Sequence, residues 1–339
     1  MTTLRIASRG SALALWQANY IAAKVKELGF DSSIIKIQTT GDKIQDKPLH
    51  EIGGKGVFIT EVEKALADRR ADIAVHSLKD LPVNTPENFS LCSFIKRHAA
   101  TDVIIFKDET GKKLHLSDKE ALSSEDIMLM GAIKIGTGSL RRSCLLKSAS
   151  RTVEIKPLRG NVDTRLNKLR NDPELDAIIL AEASLERLAD LIPEGEFTVK
   201  RLCPTWFVPS ASQGALVVET LKDSEARNQV APLDCKTTRR LVELERSVLR
   251  KLGGDCNMPF GAHFYFEQRP EHEPVLVGRA CVLAEDGSKS FAEISFPGEY
   301  PISDEDIVAH TLKKLHDDGA SAVFAKLNLP EPSWNHLNT

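Results

Sequence analysis

Short apolar runs alternate with stretches in which apolar residues return every three or four positions, and this alternation sets the first reading of the chain. Leu4-Arg5-Ile6-Ala7 reads as a strand and Arg9-Gly10-Ser11 as a turn. Ser11 then caps a helix carrying Leu13, Trp16, Tyr20, Val25 and Leu28, with Gly29 as its stop. Ser33 to Ile37 is a second strand. The polar segment Gly41 to Gly56, with Gly53, Gly54 and Gly56 around Lys55, is expected to be a long loop, and long loops are often functional. A helix near Ile59 to Leu66 leads into the apolar strand Ala71-Asp72-Ile73-Ala74-Val75. Such an order predicts a mostly parallel sheet with crossover helices.

The pattern restarts after Asp102. A strand Val103 to Phe106 precedes a charged insert reaching to about Glu125. Strand Ile133-Lys134-Ile135, a helix from Ser139, strand Val153-Glu154-Ile155, helix Val162 to Leu169 and strand Ile178-Ile179-Leu180 follow. This is a second α/β unit of similar size. From Asp234 the character changes: a helix spaced by Leu241, Leu244, Val248 and Leu252 precedes strand-like runs at Ala262 to Phe266, Val275 to Leu283 and Ser290 to Phe296. Glu285-Asp286-Gly287 between the last two is a hairpin signal. A helix from Ser303 to about Asp317 closes a small α+β unit.

The 339 residues allow two or three domains, and no run approaches the roughly 18 apolar residues of a membrane helix. No apolar signal region precedes the first strand. Six scattered cysteines without a Cys-x-x-Cys pair fit reduced thiols in a cytosol. No metal-binding spacing is present, so no metal is expected.

Charge alters the picture locally. The formal net charge is −3, yet Gly136 to Arg165 holds seven basic residues against Glu154 and Asp163. A basic stretch in a slightly acidic protein implies an anionic partner. The stretch lacks Phe, Tyr and Trp, hence the stacking platforms of a single-strand nucleic-acid groove, so a small polyanion is favoured over nucleic acid. Gly136-Thr137-Gly138-Ser139 follows a strand and opens a helix, where backbone N–H groups can hold an anion or simply cap. Arg141 and Arg142 in that helix's first turns oppose its dipole, which argues for an external anion nearby. Arg159 leaves another strand end, and Arg165 sits on the next helix.

Two further segments carry candidate chemistry. In Val75-His76-Ser77-Leu78-Lys79-Asp80-Leu81-Pro82 an apolar strand runs into adjacent opposite charges. Asp80 at a strand's carboxyl end can stabilise a cation or move a proton, with Lys79 tuning its charge, although a solvated surface pair fits the same residues. In Gly253-Gly254-Asp255-Cys256-Asn257-Met258-Pro259 the long helix ends and Cys256 lies on the loop beyond, accessible to reagents.

Taken together, these motifs resemble the porphobilinogen deaminase (hydroxymethylbilane synthase) family. The matching runs are Arg9-Gly10-Ser11 with Leu13 to Ala18, Gly53-Gly54-Lys55-Gly56, Ala71 to Pro82 and Gly136 to Arg142. They continue through Leu158 to Asn161, Thr164-Arg165-Leu166, Gln213-Gly214-Ala215 and Cys256-x-x-Pro259. The resemblance implies two periplasmic-binding-protein-like α/β domains around a cleft plus a small α+β C-terminal domain. The implied division is 1–104 with 207–228, then 105–206, then 229–339. It also implies a cytoplasmic monomer that joins four porphobilinogen molecules head to tail on a covalent dipyrromethane cofactor, losing ammonia each time, to give hydroxymethylbilane for heme biosynthesis.

A six-ring chain carries roughly twelve carboxylates that need cationic partners. By the resemblance, Lys79, Asp80, Thr137, Ser139, Arg141, Arg142 and Arg159 hold the cofactor, whose thioether anchor is Cys256. Arg9, Ser11, Arg165, Arg187, Lys55, Phe58 and Gln213 serve the substrate, and Asp80 is the catalytic group that stabilises the azafulvene cation left when ammonia departs. The sequence departs from the family pattern at Asp255, at Ser212, in Arg97 to Asp102 and in a longer insert after Phe106. The rival reading is a non-catalytic cytosolic binding protein for a polycarboxylate; it uses the arginines but needs neither Asp80 nor a modified Cys256.

Overall fold

The computed structural model describes residues 3–39, 59–116, 118–255, 258–270, 272–297 and 302–334. Three sheets organise them. The first runs in the order Ser32–Ile37, Leu4–Arg9, Ile73–Ser77, Leu216–Leu221, Phe89–Phe94. The second runs Ala121–Leu122, Phe197–Leu202, Asp102–Lys107, Ala177–Ala181, Lys134–Thr137, Glu154–Pro157. The third is the antiparallel meander Phe260–Arg269, His272–Leu283, Lys289–Pro297.

The first two sheets are mixed, which corrects the expectation of mostly parallel ones. Leu4–Arg9 pairs in parallel with both of its neighbours, but Leu216–Leu221 runs antiparallel to Ile73–Ser77 and to Phe89–Phe94. Asp102–Lys107 likewise lies antiparallel between Ala177–Ala181 and Phe197–Leu202. Periodicity marks a strand but not its direction, which depends on the neighbour it meets. Phe89–Phe94, Phe197–Leu202 and Leu216–Leu221 were not anticipated. Nor were the elements of the charged insert: helices Asp108–Lys113 and Ser124–Leu129 around the short strand Ala121–Leu122. The second of these helices opens on a Ser123/Asp126 capping box.

Side-chain capping fixes the start of three of the helices that the pattern predicts. Ser11 accepts a hydrogen bond from Ala14 N and starts Ala12–Glu27. Ser139 does the same for Leu140–Ala149, and Ser303 for Asp304–Asp317. The helix Lys236–Lys251 lays Leu241, Leu244, Val248 and Leu252 into a core shared with Phe264, Leu276 and Ile307. The hairpin expected at 285–287 turns at Gly287, whose φ is +86°.

Because the chain enters the second sheet at Asp102 and returns to the first at Leu216, it crosses between them twice. The two crossings pack backbone to backbone. A Cβ on Gly214 would lie 2.6 Å from His98 O and 2.7 Å from Ala99 O, so only glycine fits. Ser212, two residues earlier, has φ +65°, is buried, and its Oγ finds no partner among the described residues. Left-handed backbone costs an L-residue about 1–2 kcal/mol that glycine avoids. Ser212→Gly is therefore expected to raise the unfolding free energy by about 1 kcal/mol in a denaturant titration; a lowered midpoint would contradict the strain at this position.

Candidate active site

The strand Ile73–Ser77 is buried in the first sheet and continues into one turn of 3-10 helix, Leu78–Asp80. Leu78 anchors that turn: it is fully buried with Leu81, Phe94, Ala215, Val217 and Val242, and its N–H donates to Ala215 O at 3.0 Å. Asp80 is left exposed at the turn's end. His76, behind it, meets Glu219 Oε2 at 3.0 Å.

Lys79 turns inward. Its Nζ donates to Gln213 Oε1 at 3.1 Å. Gln213 is fully buried and uses its other amide end as well, donating to Ala100 O at 2.7 Å and Asp102 Oδ1 at 3.1 Å. Asp102, also fully buried, is the centre of this network. Arg141 Nη2 donates to its Oδ2 at 2.7 Å, while Arg142 donates to Oδ1 from Nε at 3.0 Å and Nη2 at 2.7 Å. Arg141 Nη1 reaches Val208 O at 2.7 Å and Arg142 Nη1 reaches Ile179 O at 2.9 Å.

Part of the counter-charge to Arg141 and Arg142 thus lies inside the protein: one Asp102 carboxylate stands against two guanidinium groups. The signal that could have found it is a lone carboxylate opening the apolar strand Asp102-Val103-Ile104-Ile105-Phe106. An acid at such a position needs cationic partners. Burial alone would raise the Asp102 pKa, but Arg141, Arg142 and Lys79 outweigh it and hold the carboxyl at about 2.

Lys79 is pushed the other way. Burial lowers its pKa to about 8, opposed by Asp80 and Asp102 and reinforced by Arg142 and Arg141. Burial also lowers Arg142, and takes Arg165 and Arg187 to about 10. The charge of Asp80 acts upward on all four cations, so Lys79, Arg142, Arg165 and Arg187 lie within electrostatic reach of it. Asp80 and Lys79 follow a strand of the first sheet; the three arginines ride on helices packed with the second. Cations carried by elements of both sheets thus lie within reach of one carboxylate.

The other candidates take varied places. Arg165 Nε donates to Gly160 O at 2.7 Å, and Arg159 is close enough to add to the lowering of its pKa. Arg187 is buried, stacks over Trp16 at 5.8 Å and donates from Nη2 to Gly214 O at 2.9 Å, but its Nε has no partner among the described residues. Arg9 ends the strand Leu4–Arg9 and is half-buried. Ser11 and Ser139 accept capping bonds, and Thr137 Oγ1 accepts from Ser139 N at 3.2 Å. Capping uses an acceptor lone pair and leaves the hydroxyl proton for donation. Lys55, Phe58 and Cys256 lie outside the described residues.

The residues flanking the cysteine are informative nonetheless. Asp255 and Met258 line a small cavity of roughly 50 Å³ together with Lys79, Leu81, Arg246 and Phe260. The loop before and after Cys256 therefore borders the Asp80 turn.

Residues 4–229 match a family model described as porphobilinogen deaminase, dipyromethane cofactor binding domain. A curated porphobilinogen deaminase from Chromobacterium violaceum is 40% identical over 338 residues, covering 98% of this chain and 100% of the relative. The chain belongs to the porphobilinogen deaminase family. Relatives of the same name from Laribacter hongkongensis (39% identical, covering 96% of this chain and 98% of the relative) and Neisseria meningitidis serogroup A (41%, 94% and 94%) agree. Among solved structures, an ancestral amino acid-binding protein aligns at TM-score 0.35 and 16% identity, covering 74% of this chain and 91% of that one, a likeness too slight to bear on function.

Family membership makes this an enzyme of the transferase class in porphyrin biosynthesis, and the matched domain is the one that binds the dipyrromethane cofactor. The residues present fit that group. A polycarboxylate needs fixed cationic donors, and the buried Arg187 offers an N–H with no partner among the described residues. No described helix is long and apolar enough to cross a membrane.

Proposed function

We propose that the chain condenses four porphobilinogen molecules head to tail on a dipyrromethane primer held by Cys256, with loss of ammonia, and releases hydroxymethylbilane. One observation carries this reading: the exposed Asp80 carboxylate stands within the fields of Lys79, Arg142, Arg165 and Arg187, drawn from elements of both sheets. When bound, the dipyrromethane supplies the pyrrole carbon on which the chain grows. Arg165, Arg187 and Lys79 would bind acetate and propionate groups, with Arg9, Ser11, Arg159, Thr137 and Ser139 adding donors along the crevice. Gln213 acts one step back, holding Lys79 and Asp102 in register with both ends of its amide. Arg141 and Arg142, neutralised in part by Asp102, supply a rigid positive floor.

Asp80 has the opposite sign from its neighbours. A cation forming as ammonia leaves is repelled by the guanidinium groups and stabilised by this carboxylate, so Asp80 determines where positive charge can develop. Cys256 is read as the anchor because its flanking residues border the same cavity as Lys79. Lys55 and Phe58 are assigned to covering the crevice. The reading includes the division 1–104 with 207–228, 105–206 and 229–339; one sheet per unit supports it, except that Asp102–Lys107 of the second sheet straddles the boundary at 105. It also includes a cytosolic monomer, in keeping with the free cysteines among the described residues.

The deciding assay incubates purified protein with porphobilinogen. Ammonia release with a linear tetrapyrrole product is expected; binding without ammonia release would favour the non-catalytic polycarboxylate binder. The pH dependence adds a second check. Lys79 is charged below about 8 and neutral above it, so the KM for porphobilinogen should rise as pH climbs through that value. Lys79→Gln should raise KM at neutral pH and flatten this limb. A profile identical to wild type would remove Lys79 from carboxylate binding.

A further inference from the structure

The helix Lys236–Lys251 leads, through Gly253, Gly254 and Asp255, into the loop of Cys256. Two adjacent charges on this helix are buried, Glu245 at 0% exposure and Arg246 at 6%. Arg246 points into the segment that carries Lys79 and Asp80. Its Nη2 donates to Pro82 O at 2.5 Å and Val83 O at 3.0 Å, and Nη1 lies 3.5 Å from both Leu78 O and Leu81 O. These carbonyls bracket Asp80. Leu78 O already accepts from Leu81 N at 3.2 Å within the turn, but the carbonyls of Leu81, Pro82 and Val83 lie beyond it, where Pro82 prevents a helix from continuing, so their partners must come from elsewhere. One planar guanidinium meets several of them at once, which a flexible ammonium does less well.

We propose that Arg246 is a positioning residue that fixes the Lys79–Asp80 turn against the helix bearing the cofactor anchor, so that anchor and catalytic carboxylate keep a constant separation. This rests on the function proposed above. Glu245 forms the other half of the device. It accepts from Arg97 at 2.6 and 3.0 Å, from Ser212 N at 2.5 Å and from Phe264 N at 2.9 Å, and so ties the same helix to both crossings and to the third sheet. Arg246 and Asp255 line one cavity with Lys79, Leu81 and Val83, so the clamp lies between anchor loop and turn. Keeping a guanidinium buried is costly, and burial lowers its pKa to about 10. A solvated arginine on this helix would avoid that cost.

The role predicts a separation of kinetic effects. Carboxylates are bound by other side chains, so substrate affinity should survive loss of Arg246. The aim of Asp80 should not, and misplacement by about 1 Å can cost on the order of a hundredfold in rate. The test compares wild type, Arg246→Met and Arg246→Lys by intact mass, by kcat and KM per cofactor-loaded molecule, and by hydrogen exchange over residues 78–83. Arg246→Met is expected to lower kcat roughly 10- to 100-fold with KM within about twofold, and to speed exchange in 78–83. Arg246→Lys should recover part of kcat. Wild-type kcat per loaded molecule with unchanged exchange would overturn the proposal, as would a raised KM at unchanged kcat. Should the methionine variant fail to fold, the lysine variant carries the test: an intermediate kcat at unchanged KM supports the clamp, and full kcat refutes it. If the wild type neither carries the cofactor nor turns over, the proposed function fails, while the exchange comparison still reports on the clamp.

Discussion

Asp80→Asn is expected to cut turnover by about two to three orders of magnitude while the protein folds and retains its cofactor. The amide keeps the size of the side chain and removes only charge. Leu78 and Leu81 remain buried on either side, so the turn should hold its shape. Lys79, Arg142, Arg165 and Arg187 remain as well. The cation left by ammonia then has to form among like charges without its counter-ion. Substrate carboxylates lose a repelling neighbour, so KM should stay level or fall. Low kcat with level KM marks an interaction made mainly in the transition state. Near-normal turnover in a cofactor-loaded variant would remove Asp80 from the mechanism.

Asp102→Asn should produce the largest loss of stability, about 3–5 kcal/mol. The substitution strips the counter-charge from Arg141 and Arg142, both buried, and disturbs the Gln213 amide that also holds Lys79. A well-packed neutral residue cannot offset two guanidinium groups already out of water. The same carboxylate gives the native protein an acid limb. Its pKa is depressed from 3.8 to about 2, so the unfolded chain takes up the proton first as pH falls. Its contribution is complete above about 4 and is lost progressively as pH drops toward about 2. Denaturant titrations at neutral and acid pH check both points: the variant should start lower and lack this part of the acid dependence. An unchanged midpoint at neutral pH would mean that another anion neutralises the pair.

Local signals in the sequence were reliable where local chemistry decides the outcome. Ser11 caps the helix it was expected to cap, Ser139 and Ser303 cap helices expected to start at them, and Leu241, Leu244, Val248 and Leu252 face the core their spacing implied. The strand Leu216–Leu221 escaped notice because its identity depends on neighbours far away in sequence, Ile73–Ser77 and Phe89–Phe94. The same holds for Asp102, whose arginine partners lie 39 and 40 positions later. Basic residues at a helix start were legible as a conflict with the dipole, but not the buried acid that resolves it. Glu245 and Arg246 leave a signal in the sequence itself. Glu245 falls in register with Leu241, Val248 and Leu252, and Arg246 with Val242 and Leu249, so each charge interrupts an apolar stripe. A charge in such a stripe implies a buried partner. Ser212 is instructive in another way: a residue foreign to the family pattern coincides with φ +65°, a backbone position suited to glycine.

The measurement closest to the central claim is the intact mass of the purified protein, followed by peptide mapping of the loop after helix Lys236–Lys251. An addition the size of a dipyrromethane on Cys256, with a positive pyrrole colour reaction, is the predicted result. A folded protein that carries an unmodified Cys256, and keeps it unmodified after incubation with porphobilinogen, would contradict the account.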